Sequence, residues 1–560
     1  MYDIFCDVAV IGAGPAGLSA AVAAKKEGAE RVLLIERDES IGGILQQCIH
    51  PGFGLTYFKE ELTGPEYAGR FEDEAKELGA EVLLNSMVLE VDPREPAVYC
   101  VNAQYGMTRV KAGSIVLAMG CREKTRAGIQ IPGTRPAGIY TAGAAQRLLN
   151  RQNTMVGKEI VILGSGDIGM IMARRMSLEG AHVKAVVEIM DFLAGLTRNK
   201  VQCLDDFGIP LMLSRTVTRI VGNERVEGVY VARVDENKKP VSGTEEFLSC
   251  DTLLLSVGLI PENELTRQAE IELSPLTNGP MVNQYMQTSE PAVFACGNVV
   301  HVNDLVDNVT AESMRAGTFA ARYAMKQKEK GAPEESRNGA QEKREHSVKT
   351  VPGSNVRYLC PQYIRTDSAL TAQSQEESEK IQLFFRVLHP DRKVKITARC
   401  GGQEIAVKRV LRVSPGEMES IVIPAAAVTG AVTVEAEKEV EGMKKEIICT
   451  VCPMGCHITV EGEADQIQSI SGYTCKRGEE YGCQEFISPV RILTTTVRTD
   501  DRKQELLPVR SNRPVPKDRI MDCMEIIKKV VVKGPVKRYD VIVENICGCG
   551  ADIVASGELE

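Results

Sequence analysis

The chain has 560 residues, of which 43% are hydrophobic and 26% are charged, and its formal net charge is −9. This composition is typical of a globular protein with several domains, and the acidic balance gives no reason to expect nucleic acid as a partner. The sequence contains no run of about 18 apolar residues, so no transmembrane helix is predicted. The N-terminus has no basic leader, which favours a cytoplasmic location. Peripheral contact with a membrane surface stays open.

A first glycine-rich motif lies at the start of the chain, where residues 7–21 predict a strand, a tight turn and a helix. Its glycines fit G-x-G-x-x-G, which permits the turn, the approach of a pyrophosphate and close packing of helix on strand. An acid nineteen residues after the last glycine is placed to bind a ribose hydroxyl. The predicted binding residues are Gly12, Gly14, Pro15, Ala16, Gly17, Glu36 and Arg37.

A second motif repeats this pattern after the predicted strand at residues 159–163. Its acid, Glu188, again lies nineteen residues after the last glycine, Gly169. A carboxylate there accepts a hydrogen bond from a 2′-hydroxyl and repels a 2′-phosphate, so the sequence favours NAD(H) over NADP(H). The predicted binding residues are Gly164, Gly166, Asp167, Ile168, Gly169 and Glu188.

Residues 1–325 resemble the two-dinucleotide-binding flavoproteins, which include glutathione reductase and thioredoxin reductase. The resemblance extends to the segments at residues 115–122, 251–259 and 293–298. It implies FAD at the first motif and NAD(H) at the second, with a helix beginning near Val309 that points its N-terminus at the flavin. Asn298 stands where many relatives have Asp. The resemblance implies further cofactor-binding residues, Gly43, Ala118, Gly120, Gly297, Asn298 and Glu312.

One departure from these relatives concerns the redox cysteine pair that disulfide reductases hold beside the flavin. After Gly43, the two positions of such a pair are occupied by Leu45 and His50, and Cys48 has no partner cysteine nearby. A dithiol relay is therefore not expected. Cys48 and His50 are catalytic candidates for substrate contact or proton transfer, and a buried thiol with a packed histidine is an equally open interpretation.

The segments at residues 42–55 and 164–175 resemble a narrower subgroup. Its members accompany a glycerol-3-phosphate dehydrogenase in anaerobic bacteria or form the flavin subunits of opine and amino-acid dehydrogenase complexes. In such complexes a partner subunit oxidises the organic substrate. The resemblance therefore implies a dehydrogenase partner subunit and an oligomeric assembly.

A cysteine-rich segment follows near the C-terminus, where Cys449, Cys452 and Cys456 are closely spaced and Cys475 follows after eighteen residues. Three close thiolates and one remote thiolate suit a 4Fe–4S cluster, with one cysteine for each iron. The pattern resembles the iron–sulfur segment of molybdopterin oxidoreductases such as formate dehydrogenase. A structural zinc held by the same thiolates is the alternative. The remaining cysteines, Cys483, Cys523, Cys547 and Cys549, suit either a second metal site or ordinary thiols.

The predicted fold is α/β, with two Rossmann-like domains for FAD and NAD, a small β domain and a cysteine-rich α+β module. The predicted ranges are 1–125 and 256–325 for the FAD domain, 126–255 for the NAD domain, 326–352 for a linker, 353–440 for the β domain and 447–560 for the module. The predicted function is electron transfer between NAD(H) and an iron–sulfur centre or partner dehydrogenase. There are two alternatives. The chain is a self-sufficient NADH oxidase or reductase of a small acceptor with zinc in its tail, or the tail only docks a partner protein.

Overall fold

The computed structural model describes residues 1–330, 347–366, 380–438, 447–463, 466–501 and 503–559. Contacts divide the chain into two compact units. The first comprises Met1–Leu45, Tyr67–Arg122 and Ile260–Glu441, and the second comprises Gln46–Glu66, Glu123–Leu259 and Gly442–Glu560. Each unit therefore combines a sheet from the N-terminal half with a later part of the chain.

The first unit contains a seven-stranded Rossmann-like sheet. Its strand Tyr2–Ile11 is fully buried over its last four residues, as expected for the centre of a parallel sheet covered on both faces. The parallel strands are Glu81–Leu83, Val32–Ile35, Tyr2–Ile11, Gly106–Leu117 and Val293–Ala295, and the antiparallel extension is formed by Ala97–Asn102 and Ser86–Asp92. The predicted strands and the first Rossmann unit are thus confirmed.

The first unit also contains the small β domain, in which two sheets enclose one apolar core. The first sheet has the order Tyr363–Arg365, Ser347–Pro352, Val432–Lys438, Asp391–Cys400 and Gln403–Val413, and the second has Val356–Cys360, Lys380–Val387 and Glu419–Pro424. The strand Ser347–Pro352 occupies the last six residues of the predicted linker, because its β-branched residues pair with two neighbouring strands. Residues 331–346 of that linker lie outside the described residues.

The second unit contains a five-stranded sheet in which every neighbouring pair is parallel. Its order is Ile139–Thr141, Thr252–Leu255, Glu159–Leu163, His182–Val187 and Leu211–Met212, and an antiparallel sheet of Arg215–Gly222, Val226–Arg233 and Glu246–Ser249 follows it. A parallel sheet whose strands are joined through helices is the second Rossmann unit that the glycine spacing predicted.

The C-terminal module belongs to this second unit. It has a three-stranded sheet of Ile447–Ile448, His457–Glu463 and Gln466–Ser471, and a five-stranded sheet of Val531–Val532, Thr494–Thr499, Leu506–Ser511, Ile553–Ala555 and Val541–Val543. Short strand pairs of the second unit join Pro51–Phe53 with Leu62–Thr63, and Val490–Arg491 with Val515–Pro516. The apolar core of the module includes Leu178 from the helix of the second Rossmann unit, so the two parts share one core.

The helices of the described residues are Pro15–Lys26, Gly64–Glu77, Arg126–Ile129, Ala142–Gln152, Asp167–Leu178, Thr197–Cys203, Glu264–Gln268, Val306–Lys330, Lys476–Ile487 and Ile520–Ile527. The helix expected near Val309 begins at Val306. None of the described helices has the length and apolar character that crossing a bilayer requires.

Candidate functional site

The first glycine motif forms a turn that only glycine fits. Gly12 has a φ of +96°, and a Cβ there would lie 2.6 Å from the Ala118 carbonyl oxygen. A Cβ on Gly17 would lie 1.8 Å from the carbonyl oxygen of Gly12. Gly14 caps the helix Pro15–Lys26 without a side-chain hydrogen bond, so its first N–H groups remain available to a phosphate. The motif is therefore built as a dinucleotide cradle.

The acid of this motif braces the turn. One Glu36 carboxylate oxygen accepts the Ala13 N–H at 2.7 Å, and the other accepts the Asp38 N–H at 2.9 Å. Glu36 is buried and Arg37 is exposed. A carboxylate oxygen has more than one lone pair, so these bonds leave acceptor capacity for a ribose hydroxyl.

The late segment of the first unit packs directly on this cradle. A Cβ on Gly297 would lie 2.9 Å from the Ala16 Cβ, and a Cβ on Gly43 would lie 2.9 Å from the Gly14 Cα. Gly120 has a φ of +70° in the turn after the Gly106–Leu117 strand. The predicted FAD-binding segments of the first unit thus meet around one turn, and they fit a bound dinucleotide.

Two side chains of the late segment have defined partners. The Asn298 side-chain oxygen accepts the Asn303 N–H at 2.9 Å, which supports the loop. Glu312 is buried, and one of its carboxylate oxygens lies 2.5 Å from Nε2 of His301. The other oxygen of Glu312 is buried without a hydrogen-bond partner among the described residues. An orphaned buried acceptor of this kind suits a ligand donor.

The second glycine motif has the same construction. Gly164 has a φ of +98°, and a Cβ there would lie 2.1 Å from the Ser256 carbonyl oxygen. The Gly169 N–H donates to the Ser256 hydroxyl at 3.1 Å. Gly166 caps the helix Asp167–Leu178 without a side-chain bond, which leaves N–H groups for a pyrophosphate. Sequence reasoning missed Ser256, although its place after a parallel strand, where such sheets bind ligands, was an available signal.

Glu188 braces the second turn as Glu36 braces the first. One of its oxygens accepts the N–H and the hydroxyl of Ser165 at 2.8 and 2.7 Å, and the other accepts the Met190 N–H at 2.9 Å. Asp167 accepts from the backbone of Leu196 and from the amide of Asn199. Ile168 is partly buried within the core around this helix.

Cys48 and His50 lie in the second unit. The Cys48 sulfur is 3.8 Å from the Gln146 side-chain oxygen, and burial raises the pKa of this thiol to about 12, which makes it a poor nucleophile. Burial lowers the pKa of His50 to about 4, although its Nδ1 lies 3.1 Å from the Pro51 carbonyl oxygen. His50 is therefore neutral at pH 7.

The four cysteines of the C-terminal motif converge on one site. The Cys449 N–H donates to the Cys456 carbonyl at 2.8 Å, which closes the loop that carries the first three thiols. Cys475 caps the helix Lys476–Ile487, and a Cβ on Gly478 in this helix would lie 3.9 Å from the Cys449 sulfur. The Gly478 N–H lowers the pKa of Cys475, whereas burial raises the pKa of Cys449 to about 11.

Four thiolates in one place suit two kinds of metal site. The charges of Cys452, Cys456 and Cys475 all act on the Cys449 thiol, so the four thiols are near neighbours. Tetrahedral zinc, with Zn–S bonds of about 2.3 Å, holds its sulfurs roughly 3.8 Å apart. A cuboidal cluster places one thiolate at each of four irons and so requires a wider set. Both kinds of site use four thiolates that lie close together, as these do.

The remaining cysteines of the module separate into two places. Cys523 is buried, with Cys547 and Cys549 packed against the same core. Burial and contact with these two thiols raise the pKa of Cys523 to about 12. Cys483 lies on the helix Lys476–Ile487, away from this core.

Comparison with known proteins identifies the family. A model described as pyridine nucleotide-disulphide oxidoreductase matches residues 6–321, which is more than half of the chain. The chain belongs to the pyridine nucleotide-disulphide oxidoreductase family. A second model, described as a protein of unknown function (DUF1667), matches residues 476–556 of this family member.

Three curated relatives illustrate the range of the family. The glutamate synthase (NADPH) small chain of Halomonas elongata is 28% identical over 340 residues, which cover 56% of this chain and 67% of the relative. The hydrogen cyanide synthase subunit HcnB of Pseudomonas protegens is 25% identical over 318 residues, which cover 52% of this chain and 65% of the relative. The NADH oxidase of Methanocaldococcus jannaschii is 26% identical over 328 residues, which cover 56% of this chain and 67% of the relative. The chain spans about two thirds of the length of these relatives.

Family membership and the two glycine motifs support one general activity. The family implies FAD and a pyridine nucleotide, and both cradles have the backbone geometry that such cofactors need. The chain is an FAD-dependent NAD(P)H oxidoreductase. Its relatives include named subunits of larger enzymes.

Proposed function

We propose that this chain is the NAD-linked flavin subunit of a multi-subunit dehydrogenase, with a 4Fe–4S cluster as its electron outlet. The observation that carries this proposal is the convergence of Cys449, Cys452, Cys456 and Cys475 in the same unit as the second dinucleotide cradle. A family member without a cysteine pair beside the flavin needs another route for electrons, and a thiolate-bound cluster is such a route.

When bound, FAD exchanges a hydride with the nicotinamide and single electrons with a cluster, so it links two-electron and one-electron chemistry. The chain supplies the positions of these groups. Gly12, Gly14 and Gly17 admit the FAD pyrophosphate, and Gly164, Gly166 and Gly169 admit that of the nicotinamide cofactor. Glu188 favours NAD(H), because its negative charge opposes a 2′-phosphate.

The partner in this proposal is a dehydrogenase subunit, as in the glycerol-3-phosphate dehydrogenase complexes that the N-terminal segments resemble. Two relatives are named as a small chain and a subunit, which supports assembly with a larger enzyme. In this assignment, the partner oxidises the organic substrate and this chain exchanges electrons with NAD(H).

The cluster is tested by metal analysis of the full chain purified without oxygen. We expect about four irons and matching acid-labile sulfide per chain, with a broad absorbance near roughly 400 nm that dithionite bleaches. Replacing both Cys449 and Cys452 by Ser should remove the iron and leave NADH-dependent flavin reduction intact. The matched control, Cys483→Ser in the same module, should keep the iron.

Zinc in place of iron in the anaerobic preparation would overturn the cluster assignment. Loss of partner binding in the Cys449 and Cys452 variant, without any iron in the parent chain, would instead identify the tail as a docking module.

The partner is tested by isolating this chain from its native host and identifying the subunits that co-purify. The proposal predicts a dehydrogenase subunit, and glycerol 3-phosphate should then drive NAD⁺ reduction by the complex. A complex that oxidises no organic substrate, or an isolated chain without partners, contradicts the proposal.

A second candidate function is a self-sufficient NADH oxidase, which the similarity to the Methanocaldococcus jannaschii enzyme favours. It predicts rapid NADH-dependent oxygen consumption by the purified chain alone. Oxygen consumption that is slow relative to the reduction of an artificial one-electron acceptor would exclude it.

A further inference from the structure

A cavity of about 20 Å³ lies within the second unit, and the electron-transfer proposal assigns it no role. It lies between the loop of His50, the helices Asp167–Leu178 and Thr197–Cys203, and the strand Thr494–Thr499. Its lining is rich in donors, with the polar side chains Arg174, Arg175, Asn150, Asn199, Gln146 and Gln202. A cavity with this lining favours a negatively charged occupant.

Arg174 lines the cavity and Arg198 lies near it, and neither forms an ion pair among the described residues. Arg174 and Arg198 are each only 7% exposed, and the Nε of each has no hydrogen-bond partner among the described residues. Arg174 makes one bond from its guanidinium, to the Ile492 carbonyl at 3.2 Å. The positive charges of Arg198 and Arg174 both lower the pKa of His50, so both guanidinium groups lie near the His50 ring.

The carboxylates on the surrounding elements are already engaged. Asp206 pairs with Arg491 at 2.9 Å and with Lys517 at 2.6 Å. Glu179 pairs with Arg175, and Asp167 accepts from Asn199 and from the backbone of Leu196. Asp206 acts on Arg174 through its charge but is already paired with two other cations.

A buried guanidinium without an anion is unfavourable, because arginine does not give up its proton in proteins. Burial lowers the pKa of Arg174, which shows the same cost. Burial also keeps His50 neutral at pH 7, with its pKa lowered to about 4, so the ring adds no further positive charge. A bound anion would relieve the unpaired charge of the arginines.

We propose that this cavity binds the carboxylate group of a small organic acid, held by Arg174 with Arg198 adding positive charge. The planar guanidinium matches the two oxygens of a carboxylate. The cavity has a volume of about 20 Å³, so its occupant is a small group. A planar carboxylate is smaller than a tetrahedral phosphate, so a space of this size favours the carboxylate.

The test is calorimetric titration of the full, FAD-loaded chain with acetate and, separately, with inorganic phosphate. We expect acetate to bind and phosphate to bind at least tenfold more weakly. Arg174→Gln should weaken acetate at least tenfold, and the matched control Arg233→Gln, at an exposed position of the same unit, should not. No heat with acetate, or phosphate binding as tight as acetate, would overturn the proposal.

A second measurement covers the case in which Arg174→Gln folds poorly. Without added anion, Arg174→Met should raise the Tm, because it removes an unpaired buried charge, and it should abolish the rise in Tm that acetate causes in the parent chain. A lower Tm with an unchanged acetate effect would assign Arg174 a structural role instead. Neither measurement needs the cluster or a partner subunit, so failure here is distinguishable from failure of the proposed function.

Discussion

At the scale of single residues, the two acids of the glycine motifs have the same structural task. Glu36 and Glu188 each accept one backbone N–H from their own glycine turn and one from the residue two positions further along the chain. The same carboxylate that would bind a ribose therefore also holds the turn in its binding conformation. Replacing such an acid affects affinity and stability together.

Glu188→Gln is expected to raise the KM for NADH about tenfold and to narrow the preference for NADH over NADPH. The amide lacks the negative charge that opposes a 2′-phosphate. Its NH₂ group also faces a backbone N–H whose hydrogen bond the carboxylate accepts in the parent chain, so that hydrogen bond is lost. The measurement is kcat/KM for both nucleotides with an artificial acceptor. The control is Glu224→Gln, which makes the same change of charge at an exposed position. If Glu188→Gln leaves the ratio of kcat/KM for NADH to kcat/KM for NADPH unchanged, Glu188 does not select the nucleotide.

His50 should make stability depend on pH in a defined window. Its pKa in the folded chain is about 4, against 6.5 when it is unperturbed, so below pH 6.5 the unfolded state binds the proton more readily. Stability is then highest above pH 6.5 and falls as the pH drops toward 4, by at most about 3 kcal/mol. The Tm of the parent chain should fall more steeply over this window than that of His50→Gln, with exposed His389→Gln as the control. Parallel curves for the parent and His50→Gln would contradict the effect.

At the scale of elements, the strand–turn–helix units depend on contact between backbones. The helix Pro15–Lys26 approaches its strand so closely that Gly17 has no room for a side chain. The N-terminal end of the helix and the turn therefore move together if that contact is changed.

Gly17→Ala is expected to destabilise the chain by about 3 kcal/mol and to reduce bound FAD sharply. Its Cβ would lie 1.8 Å from the Gly12 carbonyl oxygen, which only a shift of backbone relieves. Flavin absorbance per chain and Tm measure the two effects. Gly430→Ala in the same unit meets no atom within 4 Å and should change neither. Full FAD content in Gly17→Ala would show that the cradle tolerates a wider turn.

At the scale of the whole molecule, the C-terminal module and the second Rossmann unit share charged as well as apolar contacts. Arg491 of the module binds Asp206 at 2.9 Å and Glu485 at 2.6 Å. The side chains of Arg491 and Asp206 are only 4% and 3% exposed. This buried network makes the module an integral part of the second unit.

Arg491→Met should destabilise this unit by roughly 3 kcal/mol, because it leaves two acids without their shared cation. Lys517 still pairs with Asp206 in this variant, so we expect the loss of stability to lie at the lower end of the range for a broken buried ion pair. The measurement is the Tm from calorimetry. Arg519→Met removes an exposed pair with Asp522 and should lower the Tm much less, because solvent screens that pair. Equal effects of the two changes would mean that the network is weaker than its burial indicates.

Much of the fold could be predicted because its signals are local. The glycine spacing around Gly12 and Gly164 and the apolar strands before them act over about thirty residues, so both Rossmann units follow from the sequence. The strand Ser347–Pro352 was not predicted, since its partners lie at Tyr363–Arg365 and Val432–Lys438, and pairing over such separations leaves little local trace.

The missing cysteine pair, the two dinucleotide motifs and the four-cysteine pattern are properties of spacing, and the sequence by itself determined them. The tertiary structure decided which groups meet. It placed Glu188 on Ser165 and Met190, brought the four cysteines of the C-terminal motif together, and left the Nε atoms of Arg174 and Arg198 buried without hydrogen-bond partners among the described residues. These outcomes depend on distances between residues that are remote along the chain, and packing sets such distances while local sequence does not.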